Sequence, residues 1–554
     1  MSNKKIKESW GTRLGLILAM AGNAVGLGNF LRFPVQAVQN GGGAFLIPYL
    51  ICFLLMGIPL LWVEWATGRF GGNKGHHSTP FILDSMAKQS LWKYVGVFGI
   101  FTNLAVAAYY CYIESWTMTY VIKTLLGHFI NTSPVKVSAA FDAYLDFVPT
   151  FTGLPYEAIV AFIICVMLNA WVLSKGLVDG IEKVAKIGMP MLIVFGMVLA
   201  WSGITLQAGE KGALYDGTVG LNYLWTPDFS SLANPAVWLA AAGQIFFTLS
   251  VGMGTIQCYA SYVKPKDDIT LNAMSAGWMN EFVEVCLGSA ILIPIAVGYL
   301  GIDKVLEITH QGALGLGFRT MPFLFSQWGE WLGVISGAMF FGLLFFAGLT
   351  SSLAMGTPWV AFLQDEFKWS RKSAAWSFGL ITLVLGLPTI LFFRQGVFDE
   401  FDYWAGTVSL VVFALLESIL FAWIFGMEKG WKAINYGGDI KAPGIYKYII
   451  KYVTPSMLLF IFVAAMFSPD HGNWSDELSH LFSGHGWAFS DQAIVAKIMN
   501  QDMNKALSLA KSAQEQSEIL LKRQLINASR LLLVMVFVGI CLLVYIAEQN
   551  RKKR

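Results

Sequence analysis

The chain is 554 residues long, 56% hydrophobic and only 13% charged, with a formal net charge of +3. Soluble domains carry about 25% charge. Half that share, with a mean hydropathy of +0.57 and apolar runs from end to end, excludes a soluble globular protein and a nucleic-acid partner, and leaves an all-α polytopic membrane protein. The amino end is short and basic and enters the first apolar run without a cleavable signal pattern. A crossing needs roughly 20 apolar residues. Twelve candidates result, near residues 14–38, 43–69, 91–125, 157–174, 184–205, 234–262, 272–299, 330–363, 374–394, 405–426, 446–467 and 530–547.

Basic residues fall on one side of these spans: Lys4, Lys5, Lys7 and Arg13 at the start, Arg551 to Arg554 at the end, and Lys183, Lys186, Lys264, Lys266, Lys368, Arg371, Lys372, Lys429, Lys432, Lys447 and Lys451 between. The opposite loops hold few. The positive-inside rule then places both termini in the cytoplasm. All six cysteines fall in predicted spans and read as small buried apolar residues.

Five parts are expected. Residues 1–13 form a cytoplasmic gate segment, 14–426 a ten-helix core, 427–467 an eleventh helix with its preceding loop, 468–529 an extracytoplasmic extension, and 530–554 a twelfth helix with a basic tail. Outer segments 126–156, 206–233 and 300–329 are the longer connections. Gly312, Gly315 and Gly317 mark the last as a candidate re-entrant lid. In the extension, Ile494, Ile498, Met503, Leu507 and Leu509 at helical spacing predict an amphipathic helix over 490–525.

The first span is interrupted at Gly22-Asn-Ala-Val-Gly-Leu-Gly-Asn29, and the sixth at Ser250-Val-Gly-Met-Gly-Thr255. Lipid cannot satisfy bare backbone, so such breaks belong where protein or a cavity replaces lipid. Two broken helices in corresponding places point to a secondary transporter's binding site and fit an inverted five-plus-five repeat. Asn23 and Asn29 weigh for a site over simple Gly22–Gly26 helix packing, because buried amides need partners. Gln244, Thr248, Ser250, Asn280, Glu284, Thr350, Ser351, Ser352 and the tyrosines 109, 110 and 112 lie near mid-span. Most are neutral oxygen donors, which suit a monovalent hard cation such as Na⁺ better than a divalent one. Half-helix amino ends suit a carboxylate, and half-helix carboxyl ends and free carbonyls suit an ammonium group or Na⁺. With no acid between Gly22 and Asn29, the substrate brings its own carboxylate, which favours an amino acid over an amine.

These residues resemble the neurotransmitter:sodium symporter family, most closely its bacterial leucine-transporting members. The resemblance runs through Trp10–Pro34, Gly41–Phe45, Tyr112–Trp116, Gly243–Ser250, Phe345–Ser352 and Asp402–Thr407, and reaches nearly the whole chain except 468–529. It implies two Na⁺ ions and no organic cofactor. One ion would be held by the Ala24 carbonyl, Asn29, Thr248, Asn280 and the substrate carboxylate. The other would sit among the carbonyls of Gly22, Val25 and Ala347 and the hydroxyls of Thr350 and Ser351. The substrate carboxylate would meet Tyr110 and the amides of Leu27 and Gly28; the amine would meet the carbonyls of Ala24, Phe247 and Thr248, with Ser250 nearby. Val106, Tyr110, Phe247, Ser250, Met253, Ser351 and Met355 would line the side-chain pocket. Arg32 with Asp402 would close the outer path, and Lys7 and Trp10 against Ser261, Tyr262 and Asp365 the inner one. Glu284 would substitute for chloride, and Glu64 would brace the two broken helices. Met253 and Met355 depart from the leucine-transporting pattern, and being unbranched predict a wider side-chain range. Lys7 stands for an arginine, which loses bidentate pairing with Asp365 and predicts a weaker inner lock.

The leading expectation is a sodium-coupled, chloride-independent importer of neutral, mostly hydrophobic L-amino acids in a prokaryotic inner membrane. Membrane lipid surrounds it, and a homodimer is admissible. A non-transporting amino-acid sensor with the same pocket is the alternative. A channel or a membrane enzyme fits less well, since the polar residues converge on one pocket and no nucleophile–base pair or metal cluster emerges.

Overall fold

The computed structural model describes residues 8–145, 154–227, 229–309, 312, 314–470 and 474–553. Among them ten helices are long and apolar enough to cross a membrane. Spans two to five are Gly43–Asn73, Trp92–Leu125, Tyr156–Ser174 and Leu177–Ile204. Spans seven to twelve are Ile269–Leu300, Glu330–Phe367, Arg371–Leu391, Val397–Ile424, Ile445–Met466 and Ala513–Lys552. Two shorter apolar helices, Arg13–Ala24 and Pro235–Leu249, are the first halves of spans one and six. Among the described residues, twelve apolar helical segments therefore stand where the apolar runs predict crossings.

Both short helices are cut by their own backbone. In span one, Val25 and Gly26 are extended, and helix resumes at Leu27–Phe30 and Arg32–Gln39. The Gly26 amide donates to Asn29 Oδ1 at 2.7 Å, so a side chain replaces the missing helical bond. In span six, Ser250 is left-handed at φ 54° and Gly252 and Gly254 lie at φ 73° and 81° before helix resumes at Thr255–Ala260. At Gly252 only glycine fits, because a Cβ would lie 2.4 Å from the Leu410 carbonyl. Left-handed backbone at a non-glycine such as Ser250 is uncommon and persists where surrounding contacts fix it.

Span three packs along span eight, the Arg13–Ala24 half of span one on spans five, seven and eight, and span six on span two. The two breaks therefore face each other at the centre of the bundle, walled by spans three and eight. Within segment 300–329 the described residues form the helical pieces Ile302–Thr309, Gly315–Thr320 and Met321–Ser326. It rests on span one: Gln39 donates to the Thr309 carbonyl at 2.8 Å, and Gly317 lies against Leu31.

Two expectations are corrected. Residues 490–525 are not one helix. Ile494–Ile498 and Gln501–Leu509 are separate short helices, split by Asn500 at φ 52°. Ser512 then caps a new start by accepting from the Glu515 amide at 3.1 Å, so span twelve begins at Ala513 and absorbs the rest. Among the cysteines, Cys286 is exposed and Cys541 only partly buried, rather than both buried.

Candidate functional site

A small cavity of about 30 Å³ lies between the two breaks. Its lining includes Ala24, Gly28, Val106, Tyr110, Phe247, Thr248, Ser250, Met253, Ser351 and Met355. The structure thus brings together ten of the eleven predicted substrate residues. The eleventh, Leu27, reaches the cavity edge through its amide, which donates to the Tyr110 hydroxyl at 3.1 Å. Sequence reasoning missed Tyr109, Gly406 and Leu410 as wall residues. Gly406 falls in a π-helical turn, Trp404–Val408, a wide turn common at functional places and invisible to apolar periodicity. No acidic side chain lines the cavity among the described residues.

On the span-eight side, Ser351 Oγ lies 3.1, 3.3 and 3.5 Å from the carbonyls of Gly22, Asn23 and Val25. One hydroxyl proton cannot satisfy three acceptors. Thr350 Oγ1 lies 3.2 Å from the Ala347 carbonyl, and a Cβ on Gly22 would lie 2.9 Å from Thr350. Converging neutral oxygens with a deficit of donors fit a hard monovalent cation. All the predicted members of this set (Gly22, Val25, Ala347, Thr350 and Ser351) are together.

The second predicted ion set also converges. The Asn29 amide nitrogen lies 3.1 Å from Thr248 Oγ1, 2.9 Å from Asn280 Oδ1 and 2.9 Å from Glu284 Oε2. Gln244 donates to Glu284 at 2.6 Å, and Thr248 also donates to Glu284. Asn29 presents nitrogen here rather than the expected oxygen, because its Oδ1 is taken by the Gly26 amide. An ion in this set needs that amide to turn over. Glu284 sits within the cluster, fully buried. The breaks are tied to each other by Ser250 Oγ, which donates to the Asn23 carbonyl at 3.0 Å. Glu64 braces span six by accepting from the Gly252 amide at 2.6 Å.

The two ends of the path differ. At the Arg32 end, the guanidinium lies 4.4 Å from the Phe247 ring centre, while Asp402 accepts from the Tyr109 hydroxyl at 2.6 Å. Arg32 and Asp402 thus take separate partners rather than the expected pair. The Trp10 end is sealed. Trp10 is buried and donates to the Tyr259 carbonyl at 3.0 Å. Asp365 accepts from the His77 amide at 2.8 Å, His77 contacts Ser261 at 2.9 Å, and its ring stacks on Tyr262. Lys7 lies outside the described residues. Sequence reasoning missed His77 and a further tether: Glu8 pairs with Arg371 at 2.7 Å, and Glu182 accepts from Gly11 and Thr12 at 2.8 Å each. These partners lie far apart in sequence, and no local pattern joins them. Beside the seal, burial and the nearby Arg551 and Lys74 push the His76 ring down to about 4.

The Sodium:neurotransmitter symporter family profile matches residues 7–133 and 154–496. The chain belongs to that family. It is a sodium-coupled membrane transporter, in a family of symporters rather than enzymes. It is 32% identical to an uncharacterised sodium-dependent transporter of Methanocaldococcus jannaschii, over 82% of this chain and 89% of that one. It is 23% identical to the sodium-dependent nutrient amino acid transporter 1 of Drosophila grimshawi, over 85% and 79%. Among solved structures, MhsT in complex with L-phenylalanine matches with a TM-score of 0.72 and 29% identity, over 82% of this chain and 99% of that one.

Proposed function

We propose that this symporter imports neutral, largely hydrophobic L-amino acids with two Na⁺ ions, by alternating access and without chloride. It would do so in a prokaryotic inner membrane, with both termini cytoplasmic. The observation that carries the reading is the pairing of a cavity without acids with a carbonyl-rich, donor-poor cage one side chain away, Ser351 lining both. A cation placed in the cage and a carboxylate supplied by the substrate complete each other's charge. L-phenylalanine in the similar MhsT structure supports an aromatic or large aliphatic side chain. Met253 and Met355, both on the cavity wall, suit several such shapes because thioether chains repack. Glu284 supplies a negative charge beside Asn29 and Thr248, where an added anion would otherwise be needed. The buried Trp10 end and the unpaired Arg32–Asp402 end support an outward-facing arrangement.

The test is uptake of labelled Leu, Met, Phe, Trp, Ala and Gly into proteoliposomes, with an inward Na⁺ or K⁺ gradient and gluconate in place of chloride. Na⁺-driven accumulation of the large side chains is expected. Saturable binding without accumulation would mean a sensor, and dependence on chloride would overturn the role of Glu284.

A further inference from the structure

Span twelve carries one arginine near its middle and another near its carboxyl end, and each holds a glutamate next to a gate aspartate. At the first, Arg530 Nε lies 2.6 Å and Nη2 3.1 Å from the carboxylate of Glu400. Glu400 is 3% exposed and stands two residues before Asp402. Trp404 donates to the same carboxylate at 2.8 Å, and Arg530 Nη1 reaches Asn500 at 2.8 Å. The extension adds to the grip: Lys497 lies 4.0 Å from Glu400, and Tyr403 donates to the Gln492 carbonyl at 2.8 Å. Near the carboxyl end Arg551 Nε lies 2.6 Å from Glu366, with a second contact from its Nη2. Glu366 is 3% exposed and directly follows Asp365. Arg551 also lies 3.2 Å from His76, the neighbour of the His77 that holds Asp365. Between the arginines the helix is uninterrupted. Its 1.5 Å rise per residue sets them about 31 Å apart, close to the hydrocarbon thickness. Both arginines, Lys497 and Asn500 lie beyond the residues that the family profile matches.

We propose that span twelve is a strut joining the two gates, with Arg530 and Arg551 as positioning residues that hold spans ten and eight in the outward-facing arrangement. The inference rests on the gate assignment made under the proposed function. A buried carboxylate that loses its arginine loses most of its compensation, Glu400 keeping only Lys497 at 4.0 Å and the Trp404 indole, so either end, once cut, loosens its gate element. A strut free at one end transmits nothing, so cutting the second end adds little.

The experiment labels Leu410→Cys on the cavity wall and Ser261→Cys at the seal with a membrane-impermeant thiosulfonate. It uses the full chain with Cys286 and Cys541 changed to Ser, in Na⁺ and in K⁺. Arg530→Gln and Arg551→Gln should each slow labelling at Leu410→Cys and speed it at Ser261→Cys by about tenfold. The double variant should match either single within about twofold. Arg530→Lys and Arg551→Lys should restore most of the parent rates. A double variant showing the product of the single effects, or glutamine variants that label like the parent, would overturn the strut. A parent indifferent to Na⁺ would instead refute the gate assignment. Should the glutamine variants fail to fold, hydrogen exchange on the parent decides. Residues 397–403 and 360–367 must change protection together on replacing K⁺ by Na⁺, and a change in one alone refutes the strut.

Discussion

Ser351→Ala tests the ion cage most directly. The hydroxyl faces three backbone carbonyls at 3.1, 3.3 and 3.5 Å, in a position 3% exposed. On the proposed reading, its loss removes one oxygen ligand from the ion. Losing a buried partner of this kind costs about 1–3 kcal/mol. At about 1.4 kcal/mol per factor of ten, the Na⁺ concentration for half-maximal uptake would rise by about 5- to 140-fold. The ion-free protein loses the same hydroxyl's hydrogen bond, which offsets part of that cost, so a rise of about tenfold is expected. The assay is amino-acid uptake into proteoliposomes across a Na⁺ series at constant ionic strength. The maximal rate should survive at saturating Na⁺, and Ser351→Thr, which keeps the oxygen, should lie between parent and alanine. An alanine variant with unchanged Na⁺ half-saturation would refute the cage.

Glu284→Ser should make uptake depend on added chloride, read as the ratio of rates in chloride and gluconate. That ratio should move from about 1 to about 10 or more, if the lost carboxylate is worth about 1.4 kcal/mol or more. Met355→Ile keeps the volume but branches the side chain at Cβ, which stiffens it. Competition assays should show Trp falling relative to Leu by about tenfold, within the 1–3 kcal/mol that one misplaced methylene is worth. His76, held near 4 against an ordinary 6.5, takes up its proton more readily in the unfolded chain over that interval. Stability is therefore greatest above pH 6.5 and falls as pH drops toward 4. The thermal midpoint should drop between pH 7 and pH 5, and His76→Gln should flatten the drop.

The spans were legible because crossing a membrane demands about 20 apolar residues, a constraint written into consecutive sequence. The breaks were legible because glycine and asparagine do not otherwise belong at that depth. Gly22, Asn29, Thr248, Asn280 and Ser351, spread over four spans, became one site only through the family resemblance, since no spacing rule brings residue 29 to residue 280. What escaped depends on tertiary geometry. The Asn29 amide points its nitrogen at Glu284 because Gly26 claims its oxygen. Arg32 lies over Phe247 instead of pairing with Asp402. The extension reads as one amphipathic run, yet it is interrupted where Asn500 takes left-handed backbone and where the Ser512 side chain caps a new helix.

The placement of the cage explains why ion binding and gating are one event on the proposed reading. Gly22, Asn23 and Val25 end the half-helix that begins at Arg13, and this half-helix follows directly on Trp10. Ser351 and Thr350 belong to span eight, whose last turn holds Asp365 at the same seal. An ion among those oxygens therefore bonds the inner half of span one to span eight, across the surface that must part for the inner path to open. Its departure leaves three carbonyls sharing one hydroxyl proton, an arrangement that exposure to water relieves. The substrate acts on the other half, because Tyr110 contacts the Leu27 amide beyond the break and Phe247 lies against Gly28. One ligand thus steadies each half of the same broken helix. A helix continuous through Val25 and Gly26 would move as one body, and neither gate could respond to its own ligand.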